Sequence, residues 1–211
     1  MQVINPSRYI DYTSYDRIVS IGNKCPTTMV LRELNIYKES FPFDSVPTTP
    51  KLIRKYIQDS TEFFPQKNIV RNNDGVWFGH FDINEHYETT VETFKRRFQR
   101  LLSALQEKKR ILFCYTSEAD IYNEMGNRYN DNMRELQKLR DYIIETYNYD
   151  NFTILAIHMN KTYEDCKIIA NYRINVPQRF LSDDGTSMTP RTMRRYRESL
   201  KKMFQLIFRM E

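Results

Sequence analysis

Glycine is scarce in this sequence, with five in 211 residues, and cysteine and histidine occur three times each beside a single tryptophan. So little glycine excludes collagen-like and Gly-rich low-complexity chains, and leaves no Gly-rich run to wrap backbone amides around a pyrophosphate. The nearest approach, Gly22-Asn23-Lys24-Cys25, lacks the further glycines such a loop needs. The three cysteines, Cys25, Cys114 and Cys166, are an odd number in unrelated settings, which argues against a disulfide framework and fits a reducing compartment, the cytoplasm. With His80, His86 and His158 they show no paired spacing, so no metal site and no cofactor is implied. Long apolar runs are missing as well. Phe152–Met159 is far below the ~20 residues of a membrane-spanning helix, and Met1–Tyr15 lacks the basic flank and apolar core of a secretory signal. No membrane partner is expected.

What is present is material for one packed core. At 40% hydrophobic and 14% aromatic residues, the chain reads as a single α/β domain over residues 1–211. Thirty-two Lys+Arg against 27 Asp+Glu leave a net charge of +5, a mild excess that does not favour nucleic acid as a partner. The Arg191–Arg197 cluster reads as the wet face of an amphipathic helix.

Strand and helix signals alternate. Ile18-Val19-Ser20-Ile21 is a short apolar run closed by Gly22-Asn23, and Pro26 then stands where proline best opens a helix, with Cys25 as its N-cap. Thr49-Pro50 repeats the cap-plus-proline signal. Val76-Trp77-Phe78 reads as a strand after the Asn73-Asp74-Gly75 turn. A helix follows, with Val91, Phe94, Phe98, Leu101, Leu102 and Leu105 on one stripe and Lys95, Arg96, Arg97 and Arg100 on a solvated face. Ile111–Tyr115 and Phe152–Met159 are buried strands around a helix marked by Met133, Leu136, Arg140, Ile143, Ile144 and Tyr147. Lys167–Val176 reads as a strand, antiparallel and at an edge. Thr189-Pro190 opens a last helix carrying Met193, Tyr196, Leu200, Met203, Phe204, Ile207 and Phe208 on one side. The expected fold is a three-layer α/β sandwich, with a mostly parallel central sheet flanked by helices and a possible antiparallel edge strand.

In such folds ligands lie beyond the carboxyl ends of the strands. Cys25 falls in one such loop, as do His80, Asp82, Thr116, Ser117 and His158 if their strands are parallel. A thiol at a helix start feels unpaired N–H groups and the positive end of the helix dipole, and both favour the nucleophilic thiolate. Lys24 adds a positive charge beside it. His80 is the first candidate for the base and His158 its competitor; Asp82 or Asp44 would orient the imidazole. The bland alternatives are a buried thiol, a carbonyl-bonded histidine and a capping aspartate.

Three ordered segments resemble a known family. They are Ile18-Val19-Ser20-Ile21-Gly22-Asn23-Lys24-Cys25, then Leu31-Arg32-Glu33-Leu34, then Ser40-Phe41-Pro42-Phe43-Asp44. Together they resemble the opening signature of the papain-like cysteine peptidase family DUF1796, found in bacteria and large DNA viruses. Gly75–Asp82, Lys95-Arg96-Arg97-Phe98 and Ile111-Leu112-Phe113 resemble its later segments, so the likeness covers about the first 115 residues. Ser45 departs from the pattern, standing where an aromatic often follows Pro-Phe-Asp. The resemblance implies a thiol nucleophile at Cys25 and a base at His80, with Asp82 or Asp44 as polar partner. A papain-like core is α+β, whereas the strand and helix alternation here is that of a doubly wound fold.

The leading expectation is a cysteine-dependent hydrolase acting on a peptide or a small amide or ester, with Asn23, Lys24, Asp44 and His158 around the substrate. The first alternative is a transferase using a sugar-, acyl- or nucleotide-linked donor, because switch-point crevices hold such ligands. The second is a non-enzymatic viral interaction protein working through its tyrosines.

Overall fold

The computed structural model describes residues 1–23, 25–117, 132–180 and 190–210. In chain order the elements are β1 (Gln2–Val3), β2 (Arg17–Ser20), α1 (Pro26–Glu33), α2 (Pro50–Gln58), α3 (Tyr87–Gln106), β3 (Ile111–Thr116), α4 (Asn132–Tyr147), β4 (Phe152–Met159), β5 (Ile169–Asn175) and α5 (Pro190–Phe208). The strands form one sheet in the order β1-β5-β4-β3-β2. Strands β2 to β5 are parallel, and β1 pairs antiparallel with β5 at the edge.

Side-chain alternation across this sheet divides the core into two layers. Val19, Phe113, Ile154 and Ile169 stand in one row of the register, and Ser20, Cys114, Leu155 and Ala170 in the next. The first row faces α2, α3 and α4 through Ile53, Tyr56, Phe94, Phe98, Leu101, Leu136 and Ile143. Cys114, Leu155 and Ala170 of the second row face α1 and α5 through Val30, Leu31, Tyr196, Leu200, Met203, Phe204 and Ile207. Every residue of β3 and β4 is buried, as strands covered on both faces must be. The three-layer sandwich expected from the sequence is the observed one.

Three local expectations are corrected. Lys167–Val176 does contain a strand, but β5 runs parallel to β4; the antiparallel edge is β1, from the N-terminal segment to which no strand had been assigned. Val76–Phe78 does not join the sheet. Asn72 explains why: its Oδ1 accepts from Asp74 N and Val76 N, at 3.1 and 2.9 Å, and its Nδ2 donates to Phe63 O at 2.8 Å. The segment is thereby folded on itself, Trp77 bridging Arg71 and Phe78 N donating to Val70 O at 2.7 Å. The basic face of α3 is also only partly wet, because Arg97 and Arg100 turn inward while Lys95 and Arg96 are exposed.

The shortage of glycine shows at the helix ends. Helices α1, α3, α4 and α5 are followed by Asn35, Lys108, Asn148 and Arg209, all at positive φ. The next N–H in each case reaches back five residues, from Ile36 to Leu31, Lys109 to Ala104, Tyr149 to Ile144 and Met210 to Gln205. This is the termination in which glycine is usual, since a Cβ is disfavoured in the left-handed region. Lys108, at φ 54°, has no short polar side chain to ease that conformation. Lys108→Gly is expected to raise the unfolding free energy by about 1 kcal/mol, measured by urea denaturation, and Asn35→Gly by less. A destabilised Lys108→Gly protein would contradict the reading.

Candidate functional site

The corner between β2 and α1 is built by a close approach. Pairing of β2 with β3 runs on past Ser20, as Ile21 N donates to Cys114 O at 2.9 Å and Asn23 N to Thr116 O at 3.2 Å. Between these residues lies Gly22, where a Cβ would stand 2.0 Å from Thr27 Oγ1 and 2.9 Å from Thr116 Oγ1. Those two buried hydroxyls bond each other at 2.5 Å. The first turn of α1 is therefore pressed onto the sheet end through the space that Gly22 leaves open.

Cys25 is the residue this places at the helix start. It caps α1 without a side-chain cap bond, its carbonyl accepts from Met29 N at 3.0 Å, and its side chain is partly exposed. Pro26 follows, no acidic residue stands in the first turn, and the N–H groups of Thr27 and Thr28 precede the first intrahelical donor. Nearby at the end of β2, Ser20 Oγ and Asn23 Oδ1 are buried oxygens with no hydrogen-bond partner among the described residues. Lys24, expected to lend charge here, lies outside the described residues.

The other two thiols are set differently. Cys114 is wholly buried in the α1/α5 layer, and burial pushes its thiol far up from the ordinary range. Cys166 is partly buried, its sulfur 3.4 Å from Arg140 Nη1. No disulfide forms.

The expected base and its partner are not assembled on the thiol. His80 and Asp82 are both exposed, on a turn outside the sheet. The His80 ring meets the edge of Trp77 at 5.5 Å, and Asp82 Oδ1 accepts from Glu85 N at 3.1 Å, closing the turn before α3. Among the described residues no hydrogen bond joins either to Cys25. His158 is no substitute. It is buried, Nε2 lies 2.9 Å from Asn171 Oδ1, and its ring packs against Tyr163 at 4.6 Å and Tyr115 at 6.1 Å. Asn171 Nδ2 donates to Glu164 O at 2.7 Å, so Oδ1 is the acceptor and His158 carries its proton on Nε2. Burial lowers its pKa to about 4, partly offset by the Asn171 bond, so the ring is neutral at pH 7.

Thr116 and Ser117 are likewise committed to structure. Thr116 bonds Thr27, Ser117 Oγ accepts from Met159 N at 3.0 Å, and Ser117 O accepts from the Tyr196 hydroxyl at 2.7 Å. Together with His158 these groups tie the strand ends to one another and to α5.

Asp44 is the buried member of an ionic cluster whose Arg32 stays half exposed. Only 1% exposed, it accepts from the Tyr37 hydroxyl and from Phe41 N at 3.1 Å, and Arg32 Nη2 lies 3.6 Å away. Its backbone carbonyl accepts from Thr28 Oγ1 at 2.8 Å, which fastens the segment to α1. Burial raises its pKa to about 6 against the pull of Tyr37, Phe41 N and the Arg97 and Arg32 charges. Burial, reinforced by Asp44, also holds the Tyr37 hydroxyl in its protonated, donating form, and burial lowers the Arg97 pKa. Asp44 thus binds α1 to the 37–44 segment and does not orient His80. Tyr37 and Arg97 were missed as partners; Arg97 stands about 60° from Phe94 around the helix, on the border of its apolar stripe, and that phase was the signal.

No family model, curated protein or solved structure gives a significant match to this chain. The resemblance to the papain-like peptidase family therefore rests on the quoted segments alone.

A carboxyl whose pKa is higher in the folded state gives most stability below its unfolded value of about 4, and loses it as pH rises through about 6. Asn at position 44 stays neutral throughout. The unfolding free energy of wild type minus that of Asp44→Asn should fall by on the order of 3 kcal/mol between about pH 4 and pH 7. Urea titrations at both values measure it, and a pH-independent difference would contradict the buried-acid account.

Proposed function

We propose that this chain is a cysteine-dependent hydrolase with Cys25 as its nucleophile. The observation that carries the reading is a partly exposed thiol on the first turn of α1, at the carboxyl end of a parallel sheet, with no acidic side chain in that turn. Backbone N–H groups and the helix dipole favour the thiolate there.

In the proposed reaction the Cys25 sulfur attacks an acyl carbon, and hydrogen bonds donated by backbone N–H groups at the start of α1 stabilise the negative charge that develops on the carbonyl oxygen. The bond to the leaving group breaks, giving a thioester on Cys25. Water then attacks that thioester, releasing the acid and regenerating the thiol. An amide leaving group must be protonated to depart, whereas an activated ester or thioester leaves with less help. The helix start favours the thiolate without itself supplying a proton to the leaving group, so esters and thioesters rank ahead of peptides as substrates. His80, on its exposed turn, is not bonded to Cys25, and in this reading water carries the protons.

A second reading is a transferase using a sugar-, acyl- or nucleotide-linked donor. It is favoured by Ser20 Oγ and Asn23 Oδ1, two polar atoms at the carboxyl end of β2 with no hydrogen-bond partner among the described residues.

Turnover of a panel of aryl esters, acyl thioesters and aryl amides separates these readings. Cys25→Ser is expected to lower ester and thioester hydrolysis by at least ~100-fold. His80→Ala should change it by less than about threefold, and His158→Gln should affect thermal stability more than rate. Full hydrolysis by Cys25→Ser would remove the proposal; thermal stabilisation by a nucleotide-sugar or acyl-CoA, without turnover, would favour the transferase.

A further inference from the structure

The net charge of this protein belongs to one helix. Six of the 32 basic residues and one of the 27 acidic residues lie on α5, leaving 26 of each elsewhere. The average over the chain conceals this, which is why +5 alone says little about partners.

The position of those charges matters as much as their number. At about 100° per residue, positions 191, 194, 195, 198 and 202 fall within roughly 60° of one line along α5. All five residues are exposed: Arg191, Arg194, Arg195, Glu198 and Lys202. Arg197 and Lys201 point instead to α1, where both pair with Glu33. On the outer line Arg194 is 3.7 Å from Glu198, and among the described residues Arg191, Arg195 and Lys202 have no carboxylate partner. On α3, by contrast, Lys95 is compensated by Glu92 at 2.7 Å and Arg100 by Glu39 at 3.6 Å, Arg97 lies in the field of Asp44, and Arg96 alone of the four has no carboxylate partner among the described residues.

Each end of the line carries an aromatic ring beside guanidinium groups. Near the start, Arg195 and Arg179 both lie over Phe180, at 5.3 and 5.1 Å. Beyond the end, Arg209 lies 4.0 Å over Tyr9, which is 50% exposed. From Arg191 to Lys202 the line runs about 16 Å along the helix, and Arg209 with Tyr9 prolongs it.

We propose that this outer face of α5 binds single-stranded nucleic acid, without base-specific readout. Cations in a line track a phosphate backbone, and Tyr9, half exposed beside Arg209, offers a stacking surface to any base. An anionic membrane fits the face less well. Helices that lie on membranes bury an apolar face in lipid, whereas the apolar residues Tyr196, Leu200, Met203, Phe204 and Ile207 of α5 are wholly buried in the protein core. The same burial keeps α5 from entering a duplex groove, because it is packed along its length against α1, β1 and β5.

Fluorescence anisotropy with a labelled oligouridine of about 16 nucleotides tests the proposal on the whole chain. Micromolar binding is expected at low salt, with log K falling against log salt at a slope of about −3, as for four or five phosphate contacts. Arg191→Glu/Lys202→Glu should weaken binding by at least ~10-fold and flatten the slope by roughly 1.4 or more. Lys95→Glu/Arg96→Glu, the same charge change on a different helix, should alter affinity by less than about twofold. Tyr9→Ser should weaken binding by roughly fivefold or more with the slope unchanged. Three results would overturn the proposal: no binding by wild type, equal loss in the two double variants, or binding to phosphatidylserine vesicles with the oligonucleotide left unbound. Thermal melts of the variants confirm that each remains folded.

Discussion

The site depends on the missing side chain at Gly22. Parallel pairing carries β2 on to Asn23 alongside Thr116, and the space over Gly22 lets Thr27 reach across to Thr116. That contact fixes where α1 begins, and with it the position of the Cys25 thiol at the carboxyl edge of the sheet. A β-carbon at position 22 would meet Thr27 at 2.0 Å, so a larger residue must displace the helix start, the hydroxyl pair or both. With five glycines in the chain, one is spent here while lysine, arginine and asparagine fill the left-handed positions that close the helices.

A second constraint acts at the open side of β2, the edge strand beside this corner. Edge strands need cover against pairing with other chains, and the segment from Tyr37 to Asp44 supplies it. Tyr37 packs against both core layers, Glu39 reaches Arg17 at 3.4 Å and Arg100 at 3.6 Å, and Asp44 holds Thr28 and Arg32 of α1. A buried carboxylate with a raised pKa opposes folding at neutral pH. It ties the layer containing α1 to the layer containing α3, so the geometry around Cys25 rests on this ionic cluster as well as on apolar packing.

Much of this fold is legible in the sequence because β3, β4 and the apolar stripe of α3 each carry an unambiguous period. Pro26 and Pro50 mark helix starts equally clearly, and Thr49 caps α2 as its residue type implies. What escapes is set by tertiary context. Val76-Trp77-Phe78 has strand composition, yet Asn72 turns the chain so that its partner lies in the same loop. The β4 to β5 connection runs from Asn160 to Ile168 without a helix, and this hides the parallel sense of β5 from the usual strand, helix, strand pattern. The place of Cys25 at the start of α1 was legible from Pro26 after it. The roles of His158 and Asp44 were not, because burial and the Asn171 and Tyr37 bonds decide them, and no residue spacing reports those.

Competitive alkylation tests the thiol account most directly. Limiting iodoacetamide is added to the native protein and the modified cysteines are quantified by mass spectrometry, with an unfolded sample as reference. The account predicts Cys25 modified at least ~10-fold faster than Cys166, and Cys114 modified only after unfolding. Equal or faster modification of Cys166, or a Cys25 as inert as Cys114, would contradict it.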